Sequence, residues 1–266
     1  MNEDLKFESI ELLKALHILT RDEKLNADSR RKLKQVHHLT QLIEPLIRSL
    51  YHRQGRLNLI DAGAGKSYLG FILYDLILKN LEHAEVIAIE SRSELIEKSK
   101  VLAQKSGFKR FHFIASGIEN AECSRPVDLV CALHACDTAT DDTILFGIKN
   151  QASAFALIPC CQAEVSRELK SLKEDPLKLH ALYEFPIHRR EFGSHLTNVI
   201  RTLFLKSHGF KVTVTELVGL EHSLKNEFIL AERISDQDHP ESIRAKKELQ
   251  SLLEKFPIKM KLLKDF

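Results

Sequence analysis

The sequence predicts an α/β fold, in which helices cover both faces of a doubly wound parallel sheet and a helical cap precedes it. An apolar run at residues 57–60 leads into a glycine-rich turn and then into apolar positions at helical spacing, which indicates a strand–turn–helix unit. Further apolar runs of strand length alternate with helical segments along the chain. With 266 residues and 44% hydrophobic content, the chain can fill a sizeable core.

Two amphipathic segments predict the N-terminal cap over residues 1–54. Apolar residues recur at three- and four-residue spacing over 5–19, and a more basic helix follows over about 28–51, which Pro45 bends or resets. The stretch 30–38 is the most basic in the chain. It has two interpretations: a solvated helix face, or a surface that closes over cofactor and substrate.

The loop after the first strand combines an acid, two glycines and a lysine, namely Asp61, Gly63, Gly65 and Lys66. Three kinds of nucleotide-binding loop share such features, and spacing separates them. A phosphate-binding P-loop would need a glycine where Ile60 stands. A dinucleotide fingerprint would need its third glycine where Tyr68 stands. The remaining pattern is an acid at a strand end followed directly by Gly-x-Gly.

A second acid, Glu90, ends the next predicted strand at residues 84–90. A carboxylate at that strand end can accept hydrogen bonds from both ribose hydroxyls of an adenosine. A helix over 93–106 and a strand over 111–115 follow. The candidates for contact with the adenosine are Glu90, Ser91, Ser116, Gly117 and Ile118.

Two polar clusters follow the fourth and fifth predicted strands, which cover residues 127–133 and 154–158. In a doubly wound sheet, ligands bind outside the carboxyl ends of the strands. Both clusters should therefore face the same crevice as the glycine loop. The candidate catalytic residues are His134, Cys136, Asp137, Cys160 and Cys161.

The remaining chain completes the predicted sheet at seven strands. The charged region 163–190 is predicted as an insertion or lid over the crevice, followed by a helix over about 190–207. Segments 211–218 and 227–232 then form a terminal hairpin, and a basic amphipathic helix is predicted for the tail. The predicted boundaries are 1–54 for the cap, 55–235 for the sheet domain and 236–266 for the tail.

Four motifs in a fixed order carry a resemblance to a known family. They are Asp61 to Leu69, Leu133 to Asp141, Pro159 to Gln162 and His222 to Asn226. On these residues the chain resembles the class I S-adenosylmethionine-dependent methyltransferases, which have a Rossmann-like seven-stranded sheet. Within that class it is similar to a branch with the methyltransferase-like 25 proteins, the methyltransferase part of a glutathione-S-transferase C-terminal-domain protein, and tRNA 2′-O-methyltransferases that modify the acceptor stem.

The resemblance implies S-adenosylmethionine as cofactor and assigns the residues that hold it. Asp61, Gly63, Gly65 and Lys66 would hold the methionine part, Glu90 the ribose, and Ser116 to Ile118 would flank the adenine. The chain departs from the class I pattern at Ser67, which stands at the usual third glycine. It departs from the tRNA enzymes at two further positions, because Asp137 stands where they carry glycine and Gln162 where they carry histidine.

The cysteine and histidine clusters leave three chemical interpretations open. As zinc ligands they lack short Cys-x-x-Cys or His-x-x-x-His spacing, so no metal is predicted. As a covalent system, a thiolate would attack carbon 6 of a pyrimidine, although the motifs around the cysteines of RNA 5-methylcytosine enzymes are absent. The favoured interpretation is non-covalent: His134 or Asp137 accepts a proton from a hydroxyl or amine, and the cysteines shape a tight pocket around the sulfonium. For Cys123 and Cys131, packing is the predicted role.

Composition limits the classes of partner and the predicted location. Lys and Arg exceed Asp and Glu by only 39 to 37, so RNA binding would have to come from local patches. No apolar run has the length of a membrane span, the first residues are too acidic for a signal peptide, and five cysteines suggest reduced thiols, so a cytoplasmic location is predicted. The predicted acceptor is RNA, with tRNA favoured. The alternatives are protein or small-molecule methylation, or a cofactor-binding module that partners another protein.

Overall fold

The computed structural model describes residues 9–20, 22–24, 26–133, 137–159, 163–172, 179–217, 227–264 and 266. Within these residues, seven strands form one sheet. The strands are β1 (Leu57–Ala62), β2 (Ala84–Glu90), β3 (Phe111–Ala115), β4 (Leu129–Leu133), β5 (Ala154–Ile158), β6 (Phe210–Glu216) and β7 (Glu227–Arg233).

Helices surround this sheet. Those in the described part of the chain are α1 (Ile10–Ala15), α2 (Ala27–Gln54), α3 (Tyr68–Leu76), α4 (Ser93–Lys105), α5 (Thr138–Lys149), α6 (Glu164–Ser171), α7 (Pro186–Ser207) and α8 (Pro240–Lys255). Short 3₁₀ turns lie at Leu78–Asn80, Ile118–Asn120, His180–Leu182 and Lys261–Leu263. None of the helices described has the length and apolar character needed to cross a membrane.

The strand order is β3-β2-β1-β4-β5-β7-β6. Strands β1 to β5 run parallel, and β7 is antiparallel to both of its neighbours. This order confirms the predicted α/β class with seven strands and a terminal hairpin. The order reverses between β1 and β4, and such a switch point opens a crevice at the carboxyl ends of the strands. A ligand site is therefore expected beside the ends of β1 and β4.

Two hydrophobic cores hold the helices against the two faces of the sheet. On one face, α2 and α3 pack through fully buried side chains such as Ile43 and Phe71. On the other face, α5, α7 and α8 pack through Ile144, Ile200 and Leu249, which are also fully buried. Each such burial contributes about 1.5–3 kcal/mol, so the sheet fixes the positions of the helices on both sides.

The N-terminal cap consists mainly of α2. This helix begins after the N-cap residue Asn26 and ends at Gln54, where it is capped by Gly55 with a φ of +67°. The sequence predicts that Pro45 bends or resets this helix, but α2 continues through Pro45 without restarting. Leu46 and Ile47, which follow the proline, are buried in the core. Their packing outweighs the backbone hydrogen bond that a proline removes.

The C-terminal tail departs from the predicted basic amphipathic helix. Helix α8 ends at Lys255, because the ring of Pro257 disfavours helical conformation in the residue before it. The predicted continuation of the helix over residues 259–264 is therefore wrong. Alternate side chains of this segment enter the second core instead: Phe256, Ile258, Met260 and Leu262. Residues 256–264 form a strap on the sheet domain, called here the C-terminal strap, with its lysines exposed.

Candidate functional site

The glycine-rich loop leaves β1 at the carboxyl edge of the sheet and leads into α3. Gly63 and Gly65 have φ angles of +63° and +57°, which glycine adopts without steric cost. Ser67 has a φ of +54° and is almost fully buried. The turn thus takes the left-handed conformation at three positions, including the one where Ser67 replaces a glycine of the family pattern.

Glu90 ends β2 beside this loop. The Gly65 N–H donates to its Oε2 (2.7 Å), and the Arg92 N–H and Nε–H donate to its Oε1 (3.0 and 2.8 Å). Burial acts to raise the pKa of Glu90, but these hydrogen bonds and the charge of Arg92 outweigh it and lower the pKa to about 2. Glu90 is therefore ionised at neutral pH and is held against the glycine loop.

Asp61, the acid near the end of β1, has the opposite electrostatic environment. Its side chain is buried, and the Gly70 N–H donates to its Oδ2 (3.2 Å). Burial raises the pKa of Asp61 to about 7; the Gly70 hydrogen bond opposes this shift and the charge of Glu90 adds to it. Asp61 therefore changes its charge near neutral pH, whereas Glu90 does not.

Gly70, in the first turn of α3, is a site residue that was not predicted from the sequence. A Cβ at this position would lie 2.8 Å from Asp61 Oδ2 and 3.0 Å from Phe111 Cζ. The absence of a side chain lets α3 approach the buried carboxylate closely enough to donate its amide. A glycine inside a helical pattern just after a glycine-rich loop is the signal that could have found it.

The predicted adenine segment lies next to the glycine loop. The Ser116 N–H donates to the Glu90 carbonyl (3.1 Å), which fixes the segment to the end of β2. Ile118 is buried, and its Cδ1 would lie 3.5 Å from a Cβ on Gly63. The structure thus brings Gly63, Glu90 and the stretch from Ser116 to Ile118 together. Lys66 and Ser91 are exposed at the edge of the same region.

A cavity of about 380 Å³ lies between α2 and the carboxyl edge of the sheet. Asp61, Ala64, Tyr68 and Leu69 line it from the glycine loop and α3; Leu133, Ile158 and Leu217 line it from the ends of β4, β5 and β6; and Lys32, Gln35, Val36 and Leu39 line it from α2. The basic stretch on α2 thus forms one wall of the cavity. Glu90 and the stretch from Ser116 to Ile118 do not line it, so the cavity extends from Asp61 toward β5 and away from β2.

Four of the predicted catalytic residues lie outside the described residues. They are His134, Cys136, Cys160 and Cys161, on the loops after β4 and β5. The fourth sequence motif, His222 to Asn226, also lies outside. In the ranges that are described, no group of three or more His, Cys, Asp or Glu side chains could hold a metal ion.

Asp137, the fifth predicted catalytic residue, lies among the described residues, and its carboxylate accepts three hydrogen bonds. The N–H groups of Ala163 and Glu164 donate to its Oδ1 (2.9 Å each), and Arg167 donates to its Oδ2 (2.9 Å). Burial acts to raise the pKa of Asp137, but the hydrogen bonds and the charge of Arg167 outweigh it and hold the pKa below its ordinary value. This geometry disfavours proton acceptance by Asp137.

A buried arginine binds the main chain of Asp137. Arg201 in α7 is only 1% exposed, and its Nε donates to Asp141 (2.7 Å) while its Nη2 donates to the Asp137 carbonyl (2.9 Å). Burial raises the pKa of Asp141, and the ion pair with Arg201 opposes this shift. No local pattern in the sequence distinguishes Arg201 from Arg190, an exposed arginine of the same helix, because the burial of Arg201 depends on how α7 packs in the folded chain.

Comparison with known proteins identifies the family. A family model described as a methyltransferase domain matches residues 31–168, just over half of the chain. This chain belongs to that methyltransferase domain family. The match runs from α2 into α6, so it includes the glycine loop, Glu90 and the strand-end loops. The methyltransferase is therefore an enzyme whose methyl donor is S-adenosylmethionine. This confirms the predicted enzyme class and cofactor.

The individual proteins similar to this chain have low sequence identity to it. The glutathione S-transferase C-terminal domain-containing protein of Bos taurus is 26% identical over 192 residues, which make up 65% of this chain and 29% of that protein. The chain spans about a third of the length of the curated relatives it matches. Among solved structures, it is similar to the SAH-bound methyltransferase PaMTH1 of Podospora anserina, with 11% identity, a TM-score of 0.47, and coverage of 85% of this chain and 89% of that one. An rRNA methylase from Streptococcus thermophilus has 12% identity, a TM-score of 0.43, and coverage of 68% and 88%.

The residues around the glycine loop fit this cofactor. S-adenosylmethionine combines a ribose, which has two neighbouring hydroxyls, with cationic groups. Glu90 offers two ionised acceptor oxygens at a strand end, and Asp61 is a buried acid close to the same loop. The positive φ angles of Gly63 and Gly65 let the backbone approach a ligand without a Cβ in between.

Proposed function

We propose that this methyltransferase acts on RNA, with tRNA as the favoured acceptor. The observation that carries the proposal is the position of the basic stretch on α2. Lys32 and Gln35 line the cavity, and Arg31 and Lys34 on the same turns are exposed. A phosphate backbone at the cavity would therefore lie beside several cations, which supports binding of a polyanion despite the small net charge.

The cofactor is proposed to lie across the glycine loop. The residues proposed to contact it are Asp61, Gly63, Gly65 and Lys66 for the methionine part, Glu90 and Ser91 for the ribose, and Ser116, Gly117 and Ile118 for the adenine. When bound, S-adenosylmethionine supplies a methyl group on a positively charged sulfur, which a nucleophile attacks in line. Glu90 accepts hydrogen bonds from the ribose hydroxyls, and Asp61 in its ionised form favours the cationic end.

The proposed catalytic residues lie on the loops after β4 and β5. His134 accepts the proton of the acceptor hydroxyl or amine, and Cys136, Cys160 and Cys161 shape a tight pocket around the reacting methyl group. Within the same loops, covalent attack by one of the cysteines on a pyrimidine is the competing mechanism. The two mechanisms differ in their product, because the covalent mechanism methylates a carbon and the non-covalent mechanism an oxygen or nitrogen.

A small-molecule acceptor is the second candidate, and the character of the cavity favours it. Among the described residues, eleven line the cavity and seven of these are apolar. Its volume of about 380 Å³ also falls within the range of small-ligand pockets. An acceptor of this kind would not require the exposed cations of α2, so its methylation should depend little on salt concentration.

The proposal is tested by transfer of radiolabelled methyl groups. Purified protein and labelled S-adenosylmethionine are incubated with RNA, protein and small-molecule fractions from cells that lack the protein, so that its target is unmethylated. We expect label in the tRNA fraction. Label confined to the protein or small-molecule fraction would contradict the RNA proposal.

Glu90→Ala is the variant that links the label to the proposed cofactor site. Because a hydrogen bond to a charged group contributes about 1.5–3 kcal/mol, this variant should bind S-adenosylhomocysteine about 10- to 100-fold more weakly and lose most of the label. Glu94→Ala is the matched control, since Glu94 is an exposed acid one turn further along the chain. Equal binding by both variants would remove Glu90 from the cofactor site.

A further inference from the structure

Asp137 stands in a backbone conformation that residues with a side chain rarely adopt. Its φ is +50° and its ψ is −117°. A strained residue of this kind persists only where its surroundings hold it in place. Glycine would avoid the strain, so the side chain of Asp137 must make contacts that outweigh it.

Those contacts join two loops of the crevice. Asp137 directly precedes α5 and ends the loop after β4, whereas Ala163 and Glu164 end the loop after β5 and begin α6. The Asp137 carboxylate accepts the N–H groups of both residues at 2.9 Å. The first N–H groups of a helix have no partner within the helix, so one carboxylate caps α6 and fixes it to the start of α5.

Two arginines bind different groups of Asp137. Arg167, with 64% of its side chain exposed, pairs with the carboxylate from α6 at 2.9 Å. Arg201, with 1% exposed, donates to the Asp137 carbonyl from α7 at 2.9 Å and is itself paired with the buried Asp141. The main chain and the side chain of Asp137 are thus fixed independently, one from the core and one from the surface.

We propose that Asp137 is a positioning residue that sets the distance between the loop after β4 and the loop after β5. Asp137, Arg167 and Arg201 together form what we call the loop clamp. The clamp rests on the proposed function in one respect, namely that His134, Cys136, Cys160 and Cys161 on these loops face the methyl donor. A displacement of about 1 Å between catalytic groups can cost 100-fold in rate, which is why the distance between the loops matters.

Three substitutions of Asp137 separate the clamp from proton acceptance. Asp137→Asn keeps an oxygen that can accept both N–H groups, so kcat should stay within about 5-fold of the wild type. Asp137→Ala and Asp137→Gly remove that oxygen and should lower kcat about 10- to 100-fold. The glycine variant also relieves the backbone strain, so its loss of rate cannot be attributed to the left-handed conformation. A proton acceptor predicts instead that the Asn variant loses as much activity as the Ala variant.

Amide hydrogen exchange gives a readout that does not depend on the acceptor. In the Ala and Gly variants, the amides of Ala163 and Glu164 should exchange at least about 10-fold faster than in the wild type, and in the Asn variant they should stay protected. Lys170→Ala is the matched control, because it removes an exposed cation of α6 and leaves all three residues of the clamp in place; exchange at Ala163 and Glu164 should change less than about 3-fold in this variant.

The outcomes distinguish the clamp from the RNA proposal. Rates are measured on the tRNA fraction or, if the wild type labels the protein or small-molecule fraction instead, on that fraction, so loss of the RNA proposal leaves the comparison of variants intact. If no fraction is labelled, the exchange rates decide. The clamp is overturned if Asp137→Asn is as inactive as Asp137→Ala, or if Asp137→Gly matches the wild type in rate or in exchange.

Discussion

At the scale of single residues, two acids near one loop differ in their ionisation. Glu90 is stabilised as an anion by Gly65 and Arg92, which lower its pKa to about 2. Asp61 is buried and receives one backbone hydrogen bond, so burial raises its pKa to about 7. One acid is therefore ionised throughout the neutral range, while the other responds to pH and to a bound cation.

This contrast predicts a pH dependence of cofactor binding. A cationic group beside Asp61 favours the ionised carboxylate, so affinity for S-adenosylhomocysteine should fall as the pH drops below about 7, by at most about tenfold per unit, and should level off above it. Calorimetric titration of the wild type between pH 5 and pH 9 measures this. Asp61→Asn should remove the step, and a step that persists in this variant would assign it to another group.

The raised pKa of Asp61 also makes the stability of the fold depend on pH. The pKa of Asp61 is higher in the folded than in the unfolded protein, so the folded state binds the proton more tightly. Its contribution therefore destabilises the fold as the pH rises from about 4 to about 7. The melting temperature of Asp61→Asn relative to the wild type should accordingly increase between pH 5 and pH 8.

At the scale of elements, the C-terminal strap and α2 show how terminal segments complete the molecule. The strap buries Phe256, Ile258, Met260 and Leu262 in the core that also contains α5, α7 and α8, and the Lys261 N–H donates to Glu164 (3.0 Å) at the start of α6. Helix α2 packs on the opposite face and closes the cavity. Both segments are therefore parts of the folded domain in which the crevice lies.

The strap predicts a difference between two nearby substitutions. Leu262→Ala removes a side chain that is 1% exposed, so the free energy of unfolding should fall by about 2–5 kcal/mol in urea titrations. Lys264→Ala changes an exposed side chain and should alter it by less than about 0.5 kcal/mol. If the strap were a detached basic segment, the two variants would be equally stable.

At the scale of the whole molecule, the positions of the charged side chains matter more than the net charge. The formal net charge is only +2. Arg31 and Lys34 lie exposed on α2 near the cavity, whereas Lys105 and Lys109 lie exposed near the start of β3, at the amino edge of the sheet. The proposed function requires only the first pair.

Salt dependence of tRNA binding tests this distribution. Replacing both Arg31 and Lys34 with alanine should reduce the slope of log affinity against log salt concentration by about 1.4–1.8, because each phosphate contact contributes about 0.7–0.9 to the slope. The double substitution of Lys105 and Lys109 makes the same change of net charge and should leave the slope within about 0.5 of the wild type. Equal effects of the two double variants would indicate a response to net charge, without a defined surface on α2.

The sequence alone determined the fold class, the enzyme class and the cofactor. Strand-length apolar runs punctuated by glycine and proline are local signals, so β2, β3 and β5 have the predicted bounds. Spacing along the chain was likewise enough to distinguish the Asp61–Gly63–Gly65 loop from phosphate and dinucleotide loops.

Only the tertiary structure decided which side chains meet. Three contacts show this, because each joins residues from different elements. Arg201 pairs with the buried Asp141, and Asp137 caps α6. The Gly70 amide approaches the buried Asp61. The conformation of the C-terminal strap is likewise set by packing, because its alternate apolar residues are buried in the core while its lysines remain in solvent. Burial and partner choice depend on packing between distant segments, and no local pattern in the sequence encodes that packing.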